Sequence, residues 1–417
     1  MLALPPQLIL LRVMDESELA VNFSERIKKV QPSPTLSLNT RARELKAEGL
    51  DILNFAVGEP DYGSPQVAID KAIEQLRAGN TRYGPAGGSL DFRRSVCRKI
   101  QQDQGFSVEP NQVVGGIGAK ELLFHAFQAI LNDGDEVILH APAWVSYMEQ
   151  IRLAGGKPVV IPLEVDADGE AVLNSDQLKK YWTSKTKAFV FCSPNNPGGY
   201  TASEAQIKDI ADFLEDKEAW IISDEIYEAM SFDRPHISMT SLSENIRRKT
   251  LIINGCSKSF AMTGWRVGYA VGPVELMGQM KKLLSHSSSC IPPFIEAAAT
   301  VAIEQGPKAA MNEPLKDLEL KRKFAQDCLD LISDVKSVAN HGTFYTFVDC
   351  REWLKKSQIQ STMELSTAML EKFHVAVVPG EAFEAPGFLR FSFATDRETI
   401  QKGFERFHEC LKSLSVS

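Results

Sequence analysis

Apolar positions along the chain follow two different periods. Over 66–78, 89–104, 119–131, 145–154, 203–215, 274–286 and 293–305 they recur every three to four residues, the spacing of one helical face. Between these stretches lie short continuous apolar runs at 113–116, 136–139, 158–161, 188–192, 220–223, 250–253 and 267–271, which read as strands buried on both sides. Strands alternating with helices predict an α/β fold, a mostly parallel seven-stranded sheet held between helices. In such sheets ligands gather in the loops beyond the carboxyl ends of the strands.

Beyond about residue 310 the pattern changes. A helix at 315–333 leads to strand-like stretches at 343–348, 375–378 and 389–394, with a helix at 362–372 and a closing helix at 396–414. This is an α+β unit. A chain of 417 residues exceeds one ordinary core. The expected division is an N-terminal arm at 1–29, a large domain at 61–310, and a smaller domain built from 30–60 and 311–417.

Composition narrows the class. An apolar share of 44% and a charged share of 24% are those of a soluble globular protein. A net charge of −8 without a dense Lys/Arg run argues against nucleic acid as a partner. Seven scattered cysteines, with no CxxC pair and no zinc-ligand spacing, predict reduced thiols, no metal site and a cytoplasmic setting. The apolar stretch 1–11 has no basic segment ahead of it, so it does not read as a secretory signal, and it is too short to span a membrane. An extension before a start at Met14 and an arm packing on a partner both fit it.

The chemistry concentrates at 255–268, where Lys258 sits among small residues and Arg266 follows eight positions later. Lysine forms Schiff bases, and neighbouring cations lower its pKa toward nucleophilicity. Arginine offers a fork of donors suited to phosphate. A lysine for a carbonyl and an arginine for a phosphate meet the needs of pyridoxal phosphate. Gly115 to Lys120 precedes a helix whose first N–H groups can bind the same phosphate, or forms a simple turn. Asp224, closing an apolar run, can keep a pyridine nitrogen protonated, and Asn196 and Tyr227 can donate to a ring oxygen. Trp144 either lies on the ring or packs in the core. Arg390 is a lone charge in the apolar run 388–392, so it pairs internally or waits for an anion; the second reading is favoured.

Together these residues resemble the fold-type I pyridoxal-phosphate aminotransferases of class I/II. The resemblance runs from about Phe23 to the C-terminus, through Gly58-Glu59-Pro60-Asp61, Tyr83, Asn196-Pro197, Asp224 with Tyr227, the segment 255–268 and Arg390. It implies that Lys258 holds the cofactor's aldehyde and moves the proton at the substrate's Cα, with Asp224 and Tyr227 as its catalytic companions. It places Gly118, Ala119, Lys120, Ser257 and Arg266 around the phosphate, and Trp144, Asn196 and Tyr227 at the ring. Arg390, Gly58, Asn196 and Trp144 are implied for the substrate. Tyr83 would reach the phosphate of a neighbouring subunit, which implies a homodimer with shared sites. Two positions depart from the family pattern: Gly198 stands where a threonine is usual, and Gly255 where a serine is frequent.

For substrate choice the informative residue is Lys120. It either begins a helix in solvent or meets a distal carboxylate, as in the bacterial aspartate/prephenate aminotransferase branch that the chain resembles. The expectation is transamination between aspartate and 2-oxoglutarate. Alanine, aromatic or kynurenine aminotransferases and a β-lyase on the same fold are the alternatives. A non-enzymatic, DNA-bound regulator would need a basic DNA-binding helix, and residues 1–30 lack the length and charge for one.

Overall fold

The computed structural model of the chain describes residues 23–32 and 34–415. Most of the expected N-terminal arm, 1–29, lies outside them. Among the described residues there are thirteen strands: β1 Leu53–Asn54, β2 Val113–Gly116, β3 Glu136–His140, β4 Lys157–Ile161, β5 Thr186–Cys192, β6 Trp220–Asp224, β7 Thr250–Gly255, β8 Gly268–Val271, β9 Lys336–Ser337, β10 Tyr345–Asp349, β11 Val375–Ala376, β12 Val378–Pro379 and β13 Phe388–Ser392. The first five helices of at least nine residues are α1 Pro34–Ala47, α2 Gln66–Arg77, α3 Leu90–Gln104, α4 Ala119–Ile130 and α5 Val145–Leu153.

All seven apolar runs between 113 and 271 became strands of one sheet, in the order β2-β8-β7-β6-β5-β3-β4. Five of its strands pair in parallel, and β8 runs antiparallel to both neighbours. Both faces are covered, which is why the runs are apolar throughout rather than alternating. Successive side chains point to opposite faces. Ile138, Phe189 and Ile221 pack on Ile207, Ile210 and Leu214 of the 204–214 helix. Val137, Leu139, Val190 and Ile222 pack on Leu122, Phe127 and Ile151 of α4 and α5. Each such fully buried side chain contributes about 1.5–3 kcal/mol.

The antiparallel β8 positions the site. A parallel return would need a crossover of about a dozen residues or more spanning the sheet. Instead the twelve residues 256–267 loop out beyond the end of β7 and return on the same side, pairing Gly255 with Gly268. The lysine and arginine of 255–268 therefore sit on one connection at the carboxyl end of β7. Gly255 is required by this turn: a Cβ there would lie 2.9 Å from Gly268 Cα and 3.0 Å from Val267 O. No serine fits.

The segments 30–60 and 311–417 build the remaining sheets. β1 pairs in parallel with β11, and β12-β13-β10-β9 form an antiparallel sheet. The stretch 375–378, expected as one strand, is divided between these two sheets. Helix α1 was not expected. Its apolar residues are few, and its packing against β11 and β12 makes the helix where periodicity does not. The helix Ser175–Tyr181 was also missed, although its capping box, Asn174 with Gln177, is visible in sequence.

Candidate active site

A cavity of about 380 Å³ opens beyond the carboxyl ends of β5, β6 and β7. Every expected site residue lines it except Gly118 and Tyr83. Gly118 lies just behind the wall as the N-cap of α4, with φ +83. A Cβ on it would approach Arg266 Nη2 to 2.7 Å, so glycine is what lets the guanidinium lie against the start of α4. Arg266 donates to Thr263 O at 2.9 Å and to Ile117 O at 3.3 Å. No side chain caps α4. Its first N–H groups and the guanidinium together form a cationic cradle suited to a phosphate.

Lys258 reaches across the cavity to donate to Gly58 O. Burial, then Arg390, Arg266 and Lys120, lower its pKa to about 8, against the opposing pull of Glu59. Asp224 is 4% exposed and forms no ion pair with a cation among the described residues. Burial raises its pKa to about 6, while the Tyr147 hydroxyl and the Ile226 N–H pull the other way. Tyr147 Oη donates to Asp224 Oδ2 at 2.5 Å. The Tyr147 ring packs edge-on against Trp144, 5.3 Å between centroids. Trp144 is therefore both on the cavity wall and packed, which joins the two readings of it.

Arg390, at the centre of β13, is 3% exposed and forms no ion pair with a carboxylate among the described residues. Its Nη1 donates to Asn196 Oδ1 at 3.1 Å and its Nη2 to Ala56 O at 2.9 Å, while its Nε has no partner. The guanidinium lies over the Tyr345 ring at 4.3 Å. Asn196 Nδ2 donates to Tyr227 Oη at 3.4 Å, and that hydroxyl lies 3.2 Å from Tyr345 Oη. A buried arginine with an idle donor and a buried carboxylate without a cation are costly unless a ligand completes them. A ligand carrying a phosphate, a ring nitrogen and a carbonyl, joined by a carboxylate-bearing substrate, matches this set of donors and acceptors. Pyridoxal phosphate fits the residues present.

Sequence reasoning missed Tyr147 and Tyr345. Tyr147 stands three residues after Trp144, one helical turn away and so on the same side, a spacing that can flag it. Tyr345 gave no signal, because an aromatic in a buried strand reads as core. Glu225, Glu228 and His236 also bring ligand atoms within 4.8 Å of one another outside the cavity, a grouping invisible at their spacing. Lys99 pairs with Glu228 at 2.5 Å and supplies positive charge there.

The family model described as aminotransferase class I and II matches residues 50–407. The chain belongs to that family. It is therefore a pyridoxal-phosphate-dependent aminotransferase. An aspartate aminotransferase from Bacillus sp. (strain YM-2) is 38% identical over 94% of this chain and 99% of its own length. A probable aspartate/prephenate aminotransferase from Aquifex aeolicus is likewise 38% identical, over 94% and 99%. Among solved structures, the Thermus thermophilus aspartate aminotransferase with maleate superposes with a TM-score of 0.88 at 33% identity, covering 94% of this chain and all of that one. Among the described residues of this aminotransferase, no helix is long and apolar enough to cross a membrane.

Proposed function

We propose that this aminotransferase exchanges the amino group of aspartate with 2-oxoglutarate. The observation that carries this is a second cation in the cavity of Arg390. Lys120 Nζ lies over the Trp144 ring at 4.9 Å, and burial followed by Arg266 lowers its pKa. One arginine takes an α-carboxylate, and a further ammonium suits a second carboxylate. The bacterial relatives named aspartate aminotransferase and the maleate-bound Thermus protein support the reading.

Bound pyridoxal phosphate supplies a carbonyl that captures the amino group and a protonated ring that accepts the electron pair left at Cα. The chain's own residues do the rest. Arg390, with Asn196 and the Gly58 backbone, holds the α-carboxylate and so orients the Cα–H bond toward Lys258. The Lys258 amine, neutral in appreciable fraction near pH 8, removes that proton. Asp224 would hold a proton on the ring nitrogen, and Tyr147 keeps the carboxylate in place. Asn196 and Tyr227 would donate to the ring oxygen, Trp144 would support the ring, and Gly118, Ala119, Ser257 and Arg266 would hold the phosphate. The enclosing small-domain residues, 30–60 and 311–417, supply Gly58, Tyr345 and Arg390.

Tyr83 is 90% exposed and reaches nothing in the cavity. This supports its assignment to a neighbouring subunit's phosphate, hence a homodimer. The seven unpaired cysteines support a cytosolic setting.

Replacing Lys120 by alanine tests the substrate. The kcat/KM for aspartate is expected to fall well beyond about twofold, the change that about 0.4 kcal/mol produces. A fall within that margin removes the assignment, and a panel of aspartate, alanine, phenylalanine and glutamate then identifies the donor.

A further inference from the structure

One cation on the cavity wall has no role in the scheme above. Arg43, on α1, lines the cavity and is exposed at its mouth. Among the described residues it has no hydrogen bond or ion pair. Arg41, two positions earlier, pairs instead with Glu44 and Glu48. One helical turn before Arg43, and so on the same face, Asn39 also lines the cavity. Asn39 Oδ1 accepts from Asn54 Nδ2 at 2.9 Å, Asn54 Oδ1 accepts from the Ala56 N–H at 3.0 Å, and Ala56 O accepts from Arg390 Nη2 at 2.9 Å. Three hydrogen bonds in series thus register the helix face carrying Arg43 against the guanidinium assigned to the α-carboxylate.

An exposed helical arginine is ordinarily a solvated charge of little consequence. Arg43 differs in where it points and in what it lacks. It faces the substrate cavity, and the acidic side chains on that wall, Glu59 and Asp224 among the described residues, do not pair with it. The phosphate, the α-carboxylate and one distal carboxylate account for Arg266, Arg390 and Lys120. Transamination, however, brings two acids to one pocket, and aspartate and 2-oxoglutarate differ by a methylene. With the α-carboxylate held at Arg390 and the reacting carbon at Lys258, their distal carboxylates end at different points. Lys120 is seated over Trp144 at one place on the wall, and Arg43 stands at another, unpaired among the described residues.

We infer that Arg43 receives the distal carboxylate of the five-carbon partner, glutamate or 2-oxoglutarate, while Lys120 receives that of the four-carbon partner. Helix α1 then carries a specificity-determining residue, and the pocket reads the two chain lengths with two cations. This rests on the dicarboxylate reading proposed above.

The test compares Arg43→Ala, Arg43→Lys and Lys120→Ala holoenzymes with glutamate, aspartate and alanine as donors. Alanine, which has no distal carboxylate, reports any general damage to α1. Arg43→Ala is expected to lose about tenfold more kcat/KM for glutamate than for aspartate, the loss of one charge-assisted contact. Arg43→Lys should recover part of it, and Lys120→Ala should show the reverse order. An equal loss on all three donors, or a loss on aspartate as large as on glutamate, overturns the inference. If Lys120→Ala spares aspartate while Arg43→Ala still discriminates against glutamate, the aspartate assignment fails and the role of Arg43 stands.

Discussion

Burial disfavours the charged forms of both Lys258 and Asp224, so their pKa shifts have opposite signs. The amine is pushed down to about 8, so it becomes a usable base as pH rises through that value. Capture of the cofactor aldehyde by the apoprotein should therefore accelerate by roughly tenfold per pH unit below 8 and level off above it. Stopped-flow absorbance across pH 6 to 10 checks this, and a flat profile would contradict the shift. Asp224 is pushed up to about 6, above its unfolded value of 3.8. Its native state thus favours the protonated form, so the charge costs stability at neutral pH, and that cost is relieved as pH falls through 6. Asp224→Asn should consequently stabilise the cofactor-free protein at pH 7.5 in urea unfolding while reducing transamination. A destabilised apoprotein would show that Asp224 is not a strained charge. Lys258→Ala should lose at least about 100-fold in rate, the lower end for removing a positioned proton-transferring group.

At the scale of elements, the site depends on backbone being allowed close to backbone. A Cβ on Gly268 would lie 2.7 Å from Ala119 N, and one on Gly118 would lie 2.7 Å from Arg266 Nη2. The proposed phosphate cradle is thus the contact between the start of α4 and the start of β8. Gly118→Ala, which must also adopt φ +83, should weaken pyridoxal phosphate binding by about tenfold or more while the sheet persists. Titration of the apoprotein with cofactor, beside far-UV circular dichroism, separates the two effects. The strands behind this contact were legible because burial on both faces makes them continuous apolar runs. Helix α1 was not, since its stability comes from packing on β11 and β12. The division of 375–378 between two sheets was equally hidden, because nothing in Val-Ala-Val-Val tells one partner strand from another.

For the whole molecule, the prominent question is the second subunit. Tyr83, exposed in one chain, belongs in the proposed homodimer at the partner's phosphate. Mixing a Tyr83→Ala protein with a Lys258→Ala protein should then restore activity above that of either alone. In the mixed dimer one site has both its own Lys258 and the partner's Tyr83. Sedimentation equilibrium gives the assembly state independently. Absence of complementation in a mixture shown to contain mixed dimers would remove Tyr83 from the site.

By itself the sequence determined the class of chemistry and the large sheet. The order of short residues around Lys258 and Arg266, Asp224 closing an apolar run, and Arg390 alone in an apolar strand each express a local demand that only a few residue types meet. Tertiary structure decided what those residues face. It placed Tyr147 on Asp224, stacked Arg390 on Tyr345, seated Lys120 over Trp144 and brought Arg43 to the same cavity. Partnerships of this kind join residues far apart in the chain through packing and closure of the sheet. No local spacing records them, because the distance that matters is set by the fold and not by the number of residues between.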